Sequence, residues 1–162
     1  MESIQPFLDA PVDYSDAFDA RVASLAQAIS AKLDVSVRHE TDMNYNPGQL
    51  LVIYLLSDGS VTTDERRSSY SLKIAVSSRG PLWAIFVFRK GEGSLEWVPS
   101  SVTDICGSDR GREVLQAIES ELKAAGLSRV PDEILEELVP GRVTELDSLP
   151  ATVRDLLFCE LC

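Results

Sequence analysis

Four carboxylates lie close together in the last third of the chain, at Asp132, Glu133, Glu136 and Glu137. Pro131 fits the first turn of a helix, and helical spacing places these side chains on consecutive turns of one negative face. A calcium loop requires a D-x-D-x-D-G pattern that this segment lacks, so no metal is expected. Two interpretations stay open: a solvated helix face, or a docking surface for a basic protein partner.

The cysteines offer thiol chemistry at three positions, Cys106, Cys159 and Cys162. A zinc site needs about four ligands, and His39 is the only further candidate. A redox Cys-x-x-Cys pair normally opens a helix, whereas Cys159 and Cys162 fall at the end of a predicted one. We therefore expect ordinary cysteines, outside any disulfide framework and suited to a reducing cytosol.

His39 is the only histidine, so any histidine-dependent catalysis would have to use it. No nucleophile motif surrounds a serine or cysteine, and the neighbours Arg38 and Glu40 indicate the solvent side or the end of a strand. The loop Gly107–Gly111 precedes a helix but has no phosphate-binding lysine. The sequence therefore predicts no catalytic residue and no cofactor, which argues against an enzyme.

Two tryptophans flank the last predicted hairpin. Trp83 lies in the apolar run Leu82–Phe88, so we expect it in the core. Trp97 has Glu96 and Pro99 as near neighbours, which indicates the edge or the end of a strand. Two roles stay open for Trp97: core packing, and an exposed anchor for a partner.

These residues must be positioned by a helix and a set of strands. Ser15 is a suitable N-cap for a helix whose apolar stripe is formed by Phe18, Val22, Leu25, Ile29 and Leu33. Strands are expected at Val35–Glu40, Leu50–Leu56, Tyr70–Ser77, Leu82–Phe88 and Ser94–Val98. Alternation in Tyr70–Ser77 predicts a strand covered on one face only. Short turns favour an antiparallel meander.

The last third is predicted to be helical. Its inward positions are Val114, Leu115, Ile118 and Leu122 in one helix, Ile134, Leu135 and Leu138 in a second, and Val153, Leu156, Leu157 and Leu161 in a third that opens at Pro150. Residues 1–14 indicate an irregular arm. The predicted fold is a single α+β domain over residues 1–162. It has an N-terminal helix, an antiparallel meander of about five strands and C-terminal helices in a two-layer sandwich. The nearly continuous apolar runs Leu50–Leu56 and Leu82–Phe88 leave two alternatives open for the second face of the sheet: the N-terminal helix covers one face and the C-terminal helices the other, or the second face is a partner surface.

The acidity of the chain is unevenly distributed. The net charge is −11, of which residues 1–50 carry −5, residues 51–100 carry +1 and residues 101–162 carry −7. This distribution disfavours nucleic acid and anionic membranes and favours a basic protein partner. No secretory signal is evident at the N-terminus, and no apolar run is long enough to cross a bilayer, so a cytoplasmic location is expected.

The order of predicted elements is one helix, about five antiparallel strands and then acidic helices, and the chain ends with the segments Val139–Leu146 and Pro150–Phe158. In architecture, size and charge the whole chain resembles the small acidic α+β immunity proteins that bacteria keep beside polymorphic or contact-delivered toxins. The resemblance implies a cytoplasmic, non-enzymatic protein that neutralises a cognate toxin by binding it. Because the resemblance contains no shared motif, it assigns no site residue.

Other functions stay open beside this one. A secretion chaperone or adaptor is also small, acidic and α+β, and is typically a dimer. A small-ligand-binding domain, or an enzyme that uses carboxylates without histidine, would require a pocket in which acidic and arginine side chains converge. The residues selected as partner-binding are Asp132, Glu133, Glu136, Glu137 and Trp97.

Overall fold

A sheet with helices on both faces forms the body of the protein, as seen in a computed structural model that describes residues 3–41, 46–91 and 93–160. The helices are α1 (Gln5–Leu8), α2 (Asp16–Leu33), α3 (Val102–Ile105), α4 (Asp109–Ala124), α5 (Asp132–Leu135) and α6 (Val153–Leu157). The strands are β1 (Arg38–Glu40), β2 (Gly48–Leu55), β3 (Val61–Thr62), β4 (Tyr70–Ser77), β5 (Leu82–Lys90), β6 (Trp97–Pro99), β7 (Ser128–Arg129), β8 (Leu138–Val143) and β9 (Pro150–Thr152). The predicted α+β class is confirmed.

Three long strands form the centre of the main sheet. β4 pairs antiparallel with β2 on one side and with β5 on the other, so that Ile74 faces Leu51 and Ile85. β1 and β3 pair with the outer edge of β2, while β6 and β7 pair with the outer edge of β5. The expected antiparallel meander of five strands appears as β1-β2-β4-β5-β6, and the short strands β3 and β7 are additions, of which β7 is parallel.

The long helices α2 and α4 cover one face of this sheet. Ser15 caps α2, because its hydroxyl accepts a hydrogen bond from the Phe18 amide at 3.2 Å, as its position in the sequence predicts. The main core lies between these helices and the central strands. Its helical members include Phe18, Val22, Ile29, Val114, Ile118 and Leu122, and its strand members include Leu51, Ile53, Leu72, Ile74, Trp83 and Ile85. Trp83 is buried there, as predicted.

A second, smaller core lies on the opposite face of the sheet. Strand residues Leu50, Ala75, Leu82 and Ala84 pack there against Leu8 of α1, Leu135 of α5, Leu156 and Leu157 of α6, and Phe158 directly after α6. The predicted two-layer sandwich is therefore incomplete, because α1, α5 and α6 form a partial third layer on this face. The prediction that Tyr70–Ser77 is covered on one face is wrong, because Ser71, Ala75 and Ser77 are buried as well.

Both ends of the chain depart from the sequence prediction. Within the predicted irregular arm, α1 forms a helical turn, and Leu8 is buried in the second core. In the last third, α5 is a single turn, and the chain then forms the two-stranded β8–β9 sheet instead of more helix. Pro150 starts β9 rather than a helix, while α6 buries Val153 and Leu157 as expected. Leu161 lies outside the described residues.

No helix within the described residues is both long and apolar enough to cross a membrane.

Candidate binding surface

The four acidic residues selected from the sequence are all exposed, but they do not form the expected helix face. Asp132 and Glu133 lie in the single turn of α5, whereas Glu136 and Glu137 follow its end and lead into β8. The helix stops at Leu135 because the next residues join a strand pair: the Glu137 carbonyl accepts a hydrogen bond from the Val153 amide at 2.9 Å. The carboxylates are therefore grouped around the junction between α5 and β8.

Two of these carboxylates already have cationic partners. Asp132 lies 3.5 Å from Arg129, and Glu136 lies 3.1 Å from Arg154. For Glu133 and Glu137, the part of the chain that the structure describes contains no ion pair. Glu133 and Glu137 are therefore the two members of the group whose charge is available to an approaching cation.

The β8–β9 sheet and its turn, which follow these carboxylates in the chain, expose large apolar side chains. We call this set the hairpin patch: Leu138, Val143, Leu146 and Leu149, which are between 52 % and 64 % exposed. Val143 and the exposed Pro150 are register partners, and Leu146 and Leu149 lie in the turn between them. Several large apolar side chains left exposed on one short hairpin make it a candidate interaction site.

The turn that carries Leu146 and Leu149 is fixed by hydrogen bonds. The Glu160 carboxylate accepts from the Glu145 amide at 2.7 Å and from the Leu146 amide at 3.1 Å. The Asp147 carboxylate accepts from the Thr144 hydroxyl and from the Leu149 amide. These bonds, that of Thr144 first, lower the pKa of Asp147 below its ordinary value. A turn fixed in this way loses little conformational entropy when it meets a partner.

The sequence predicts a role for the carboxylates but none for the hairpin patch. The prediction that Leu138 lies on the inward side of a helix is wrong, and the sequence patterns predict no role for Val143, Leu146 and Leu149. A sequence feature that indicates their exposure is the position of Val143, Leu146 and Leu149 between Gly141 and Pro150. That interval is too short for a helix that could bury them.

Trp97 is held against the main sheet by an aromatic contact and a cation–π contact. Its ring stacks on Tyr54 with 6.2 Å between centroids, and the Lys90 ammonium lies 4.7 Å from the ring centroid. Burial raises the pKa of Tyr54. Trp97 is half-buried, and its ring contacts join it to β2 and β5 of the main sheet. Pro99, at the end of the same strand, lines a cavity together with Asp132 and Glu136. Its role as an anchor stays a prediction.

His39 belongs to a polar chain that joins β1, β2 and α2. Its Nε2 lies 2.6 Å from the Gln49 side-chain oxygen, and the Gln49 amide group donates to the Asp19 carboxylate. Because an amide oxygen only accepts, Nε2 carries the proton in this arrangement. A neutral amide beside the histidine does not stabilise an imidazolium as the carboxylate of a catalytic triad does. The geometry supports a structural role for His39.

The cysteines differ from the expectation that all lie outside disulfides. Cys106 is a free, half-buried thiol, whereas Cys159 is fully buried and disulfide-bonded. Cys162 lies outside the described residues. Among residues 3–41, 46–91 and 93–160, no group of three or more histidine, cysteine or acidic side chains is arranged to hold a metal ion.

Comparison with known proteins gave no relative. No protein-family model matches the chain, and neither a curated protein nor a solved structure is significantly similar to it.

Proposed function

We propose that this chain is a non-enzymatic binding protein that neutralises a basic toxin domain by occupying its surface, in the manner of an immunity protein. One observation supports this above all. Residues 132–149 hold six acidic residues and one arginine, a net −5 of the chain's −11. The same eighteen positions expose the four apolar side chains of the hairpin patch.

This combination matches what a protein interface requires. Apolar surface contributes about 25 cal/mol for each Å² removed from water, which supplies affinity. Carboxylates around it attract a basic partner and raise the association rate. The matching surface on the partner is an apolar patch surrounded by lysine and arginine side chains. Basic clefts of this character occur in proteins that handle nucleic acid, so a nuclease toxin domain is one suitable target.

A secretion chaperone or adaptor is the alternative, since its partner would also meet an apolar surface. Such proteins are typically dimers, and the hairpin patch is the exposed apolar surface that offers a second copy the most large side chains in one segment. Two copies joined there would bring two segments of net −5 together. This repulsion favours a basic partner of different sequence over a second copy of the chain.

The deciding experiment is co-expression with the product of the adjacent reading frame. We expect that product to arrest growth when expressed alone, and growth to recover when this chain is present. Purified proteins should then form a complex whose association slows as salt is raised from about 50 to about 500 mM. An adjacent product that is harmless, or a toxin that this chain does not bind, would remove the basis of the proposal.

The carboxylates are tested by removing the two that have no ion pair. Glu133→Gln with Glu137→Gln should slow association with that product roughly threefold to tenfold and weaken its salt dependence. The matched control is Glu96→Gln with Glu113→Gln, which removes two exposed charges elsewhere. Stopped-flow measurements should show the control pair associating at the unmodified rate. Equal slowing in both pairs would indicate a general charge effect and not a docking surface.

A further inference from the structure

A cavity of about 220 Å³ lies where α1 meets the end of α5 and the start of β8. Small-molecule sites usually enclose about 300 to 1,000 Å³, so this cavity suits a single side chain better than a free ligand. It adjoins both halves of the candidate binding surface, because Leu138 of the hairpin patch and Glu137 of the acidic group line it. Its position therefore links it to the docking of a protein partner.

The walls of this cavity are largely apolar. Leu8 and Val153 are buried members of the second core, and Ile134 and Val139 are half-buried and pack against that core. All four residues line the cavity. An aliphatic side chain that enters it is thus removed from water against the outer surface of the second core, which favours its binding.

Glu137 supplies the charge of the cavity. Among the residues that the structure describes, it is the only charged residue in the lining, and its exposed carboxylate has no ion pair or hydrogen bond. Its backbone is fixed, because its amide donates to the Ile134 carbonyl at 3.1 Å and its carbonyl accepts from the Val153 amide at 2.9 Å. An unpaired carboxylate is therefore carried on a fixed backbone beside an apolar cavity.

Three arginines reach the elements that form the cavity, but none of them lines it. Arg79 and Arg142 both donate to the Leu8 carbonyl, at 3.1 and 3.2 Å, where α1 ends. Arg154 lines a different cavity and lies 3.1 Å from Glu136. The cavity therefore has one negative charge that no basic residue of its lining neutralises.

We propose that this cavity receives an arginine or lysine side chain of the basic partner, with the aliphatic stem inside and the cationic head against the Glu137 carboxylate. The identity of that partner rests on the function proposed above. Long basic side chains suit both features, since they bury an apolar stem and keep the charged end at the surface. Glu137 would repel an acidic side chain, and a purely apolar one would leave the carboxylate without a partner.

Four capped tripeptides test the cavity without any toxin: acetyl-Leu-X-Leu-amide, in which X is arginine, lysine, citrulline or glutamate. Citrulline has nearly the shape of arginine but no charge. Backbone amide NMR of the full chain at pH 7 and low salt should show both basic peptides binding roughly threefold tighter than the citrulline peptide, and the glutamate peptide weakest. The shifts should fall on α1, the end of α5 and the start of β8.

Three results of these titrations would overturn the proposal. The first is a citrulline peptide that binds as tightly as the arginine peptide, and the second is a set of shifts confined to other parts of the fold. The third is the absence of any shift at about 10 mM peptide, a concentration at which even a Kd of a few millimolar is visible.

Single variants test the same charge on the side of the protein. Glu137→Gln should reduce the affinity of the arginine peptide to that of the citrulline peptide, because it removes the carboxylate and keeps the shape of the wall. Glu133→Gln is the matched control, since Glu133 is exposed and lies outside the cavity lining, so the preference for arginine should persist. Leu138→Ala, at an exposed position, should weaken all four peptides together because it removes apolar wall.

In a complex with the toxin, the two charge variants should differ in their dissociation rates. Glu137→Gln should raise the rate roughly threefold to tenfold, because loss of an anchored ion pair acts mainly on dissociation, whereas Glu133→Gln should change association alone. Equal dissociation rates would show that no basic side chain of the toxin occupies the cavity. If no toxin is found, the proposed function fails and the peptide titrations still decide the cavity. If a toxin binds and the basic peptides do not, only the anchor is wrong.

Discussion

At the scale of single residues, Gly111 makes a contact that no other residue permits. It lies in the first turns of α4, and a Cβ there would clash with the Ile105 carbonyl oxygen. Alanine usually stabilises a helix interior by about 1 kcal/mol relative to glycine. Here that gain is outweighed, because the end of α3 and the start of α4 would have to separate.

Gly111→Ala is therefore expected to lower the free energy of unfolding by about 2 kcal/mol, the typical cost of overpacking. Urea denaturation followed by circular dichroism measures it. Gly107→Ala is the control, because a Cβ at that position meets only an ordinary contact, with the Asp104 carbonyl oxygen. A Gly111→Ala protein as stable as the parent would show that α3 moves away freely.

Asp147 offers a second test, by titration. The Thr144 hydroxyl, followed by the Leu149 amide, lowers its pKa from the ordinary 3.8. A carboxyl whose pKa is lowered by folding adds stability above its unfolded pKa, and that contribution is lost as pH falls through the folded pKa. Thr144→Val removes the first donor and should move the pKa of Asp147 upward, toward 3.8. Carbon-13 NMR of the side-chain carboxyl reports it; an unchanged pKa would rule out the Thr144 bond.

At the scale of elements, α6 attaches the C-terminal layer to the sheet. Phe158, directly after this helix, is fully buried in the second core, and its carbonyl accepts a hydrogen bond from the Gly48 amide at 2.9 Å. One residue thus joins the end of the chain to the start of β2 by apolar packing and by a backbone bond.

Phe158→Ala should cost about 3 to 5 kcal/mol of unfolding free energy, as is usual for a large buried aromatic side chain. Leu149→Ala, at an exposed position of the same C-terminal layer, should cost less than about 0.5 kcal/mol of unfolding free energy. Chemical denaturation compares them directly. Similar small losses in both variants would mean that the C-terminal layer contributes little to the stability of the fold.

The pattern of apolar residues in the sequence predicts the long helices and strands well. The helical stripe from Phe18 to Leu33 and the apolar run Leu82–Phe88 correspond to α2 and β5 nearly to the residue. Periodicity fails in β4, where Ser71 and Ser77 are small enough to be buried and their polarity falsely indicates solvent. Tertiary contacts not encoded locally decide such positions.

The candidate surface shows the same limit. Composition identifies the carboxylates at positions 132–137, because charge is visible in a sequence wherever it folds. The hairpin patch depends on how β8 pairs with β9, and this pairing joins residues across a turn and a register shift. Local patterns contain no such information, so the apolar half of the surface becomes visible only in the fold.

At the scale of the whole molecule, charge and burial occupy different parts of the chain. The near-neutral residues 51–100 form the central strands, and much of this stretch is buried on both faces. The net charge of −11 is therefore carried largely by the helices, the hairpin and the loops outside the sheet. At pH 7 this charge opposes the association of two copies through the exposed hairpin patch.

The repulsion between copies should weaken as the carboxylates are neutralised near the isoelectric point of about 4.5. We expect static light scattering at low salt to show association as pH falls from 7 toward that value, because exposed apolar surface then meets no repulsion. Leu146→Ser with Leu149→Ser should suppress the association. Leu95→Ser is the control, since Leu95 is 88 % exposed but lies outside the hairpin patch, and it should associate like the parent. Equal association in all three proteins would mean that charge neutralisation alone drives it, and that the hairpin patch is not the adhesive surface of this molecule.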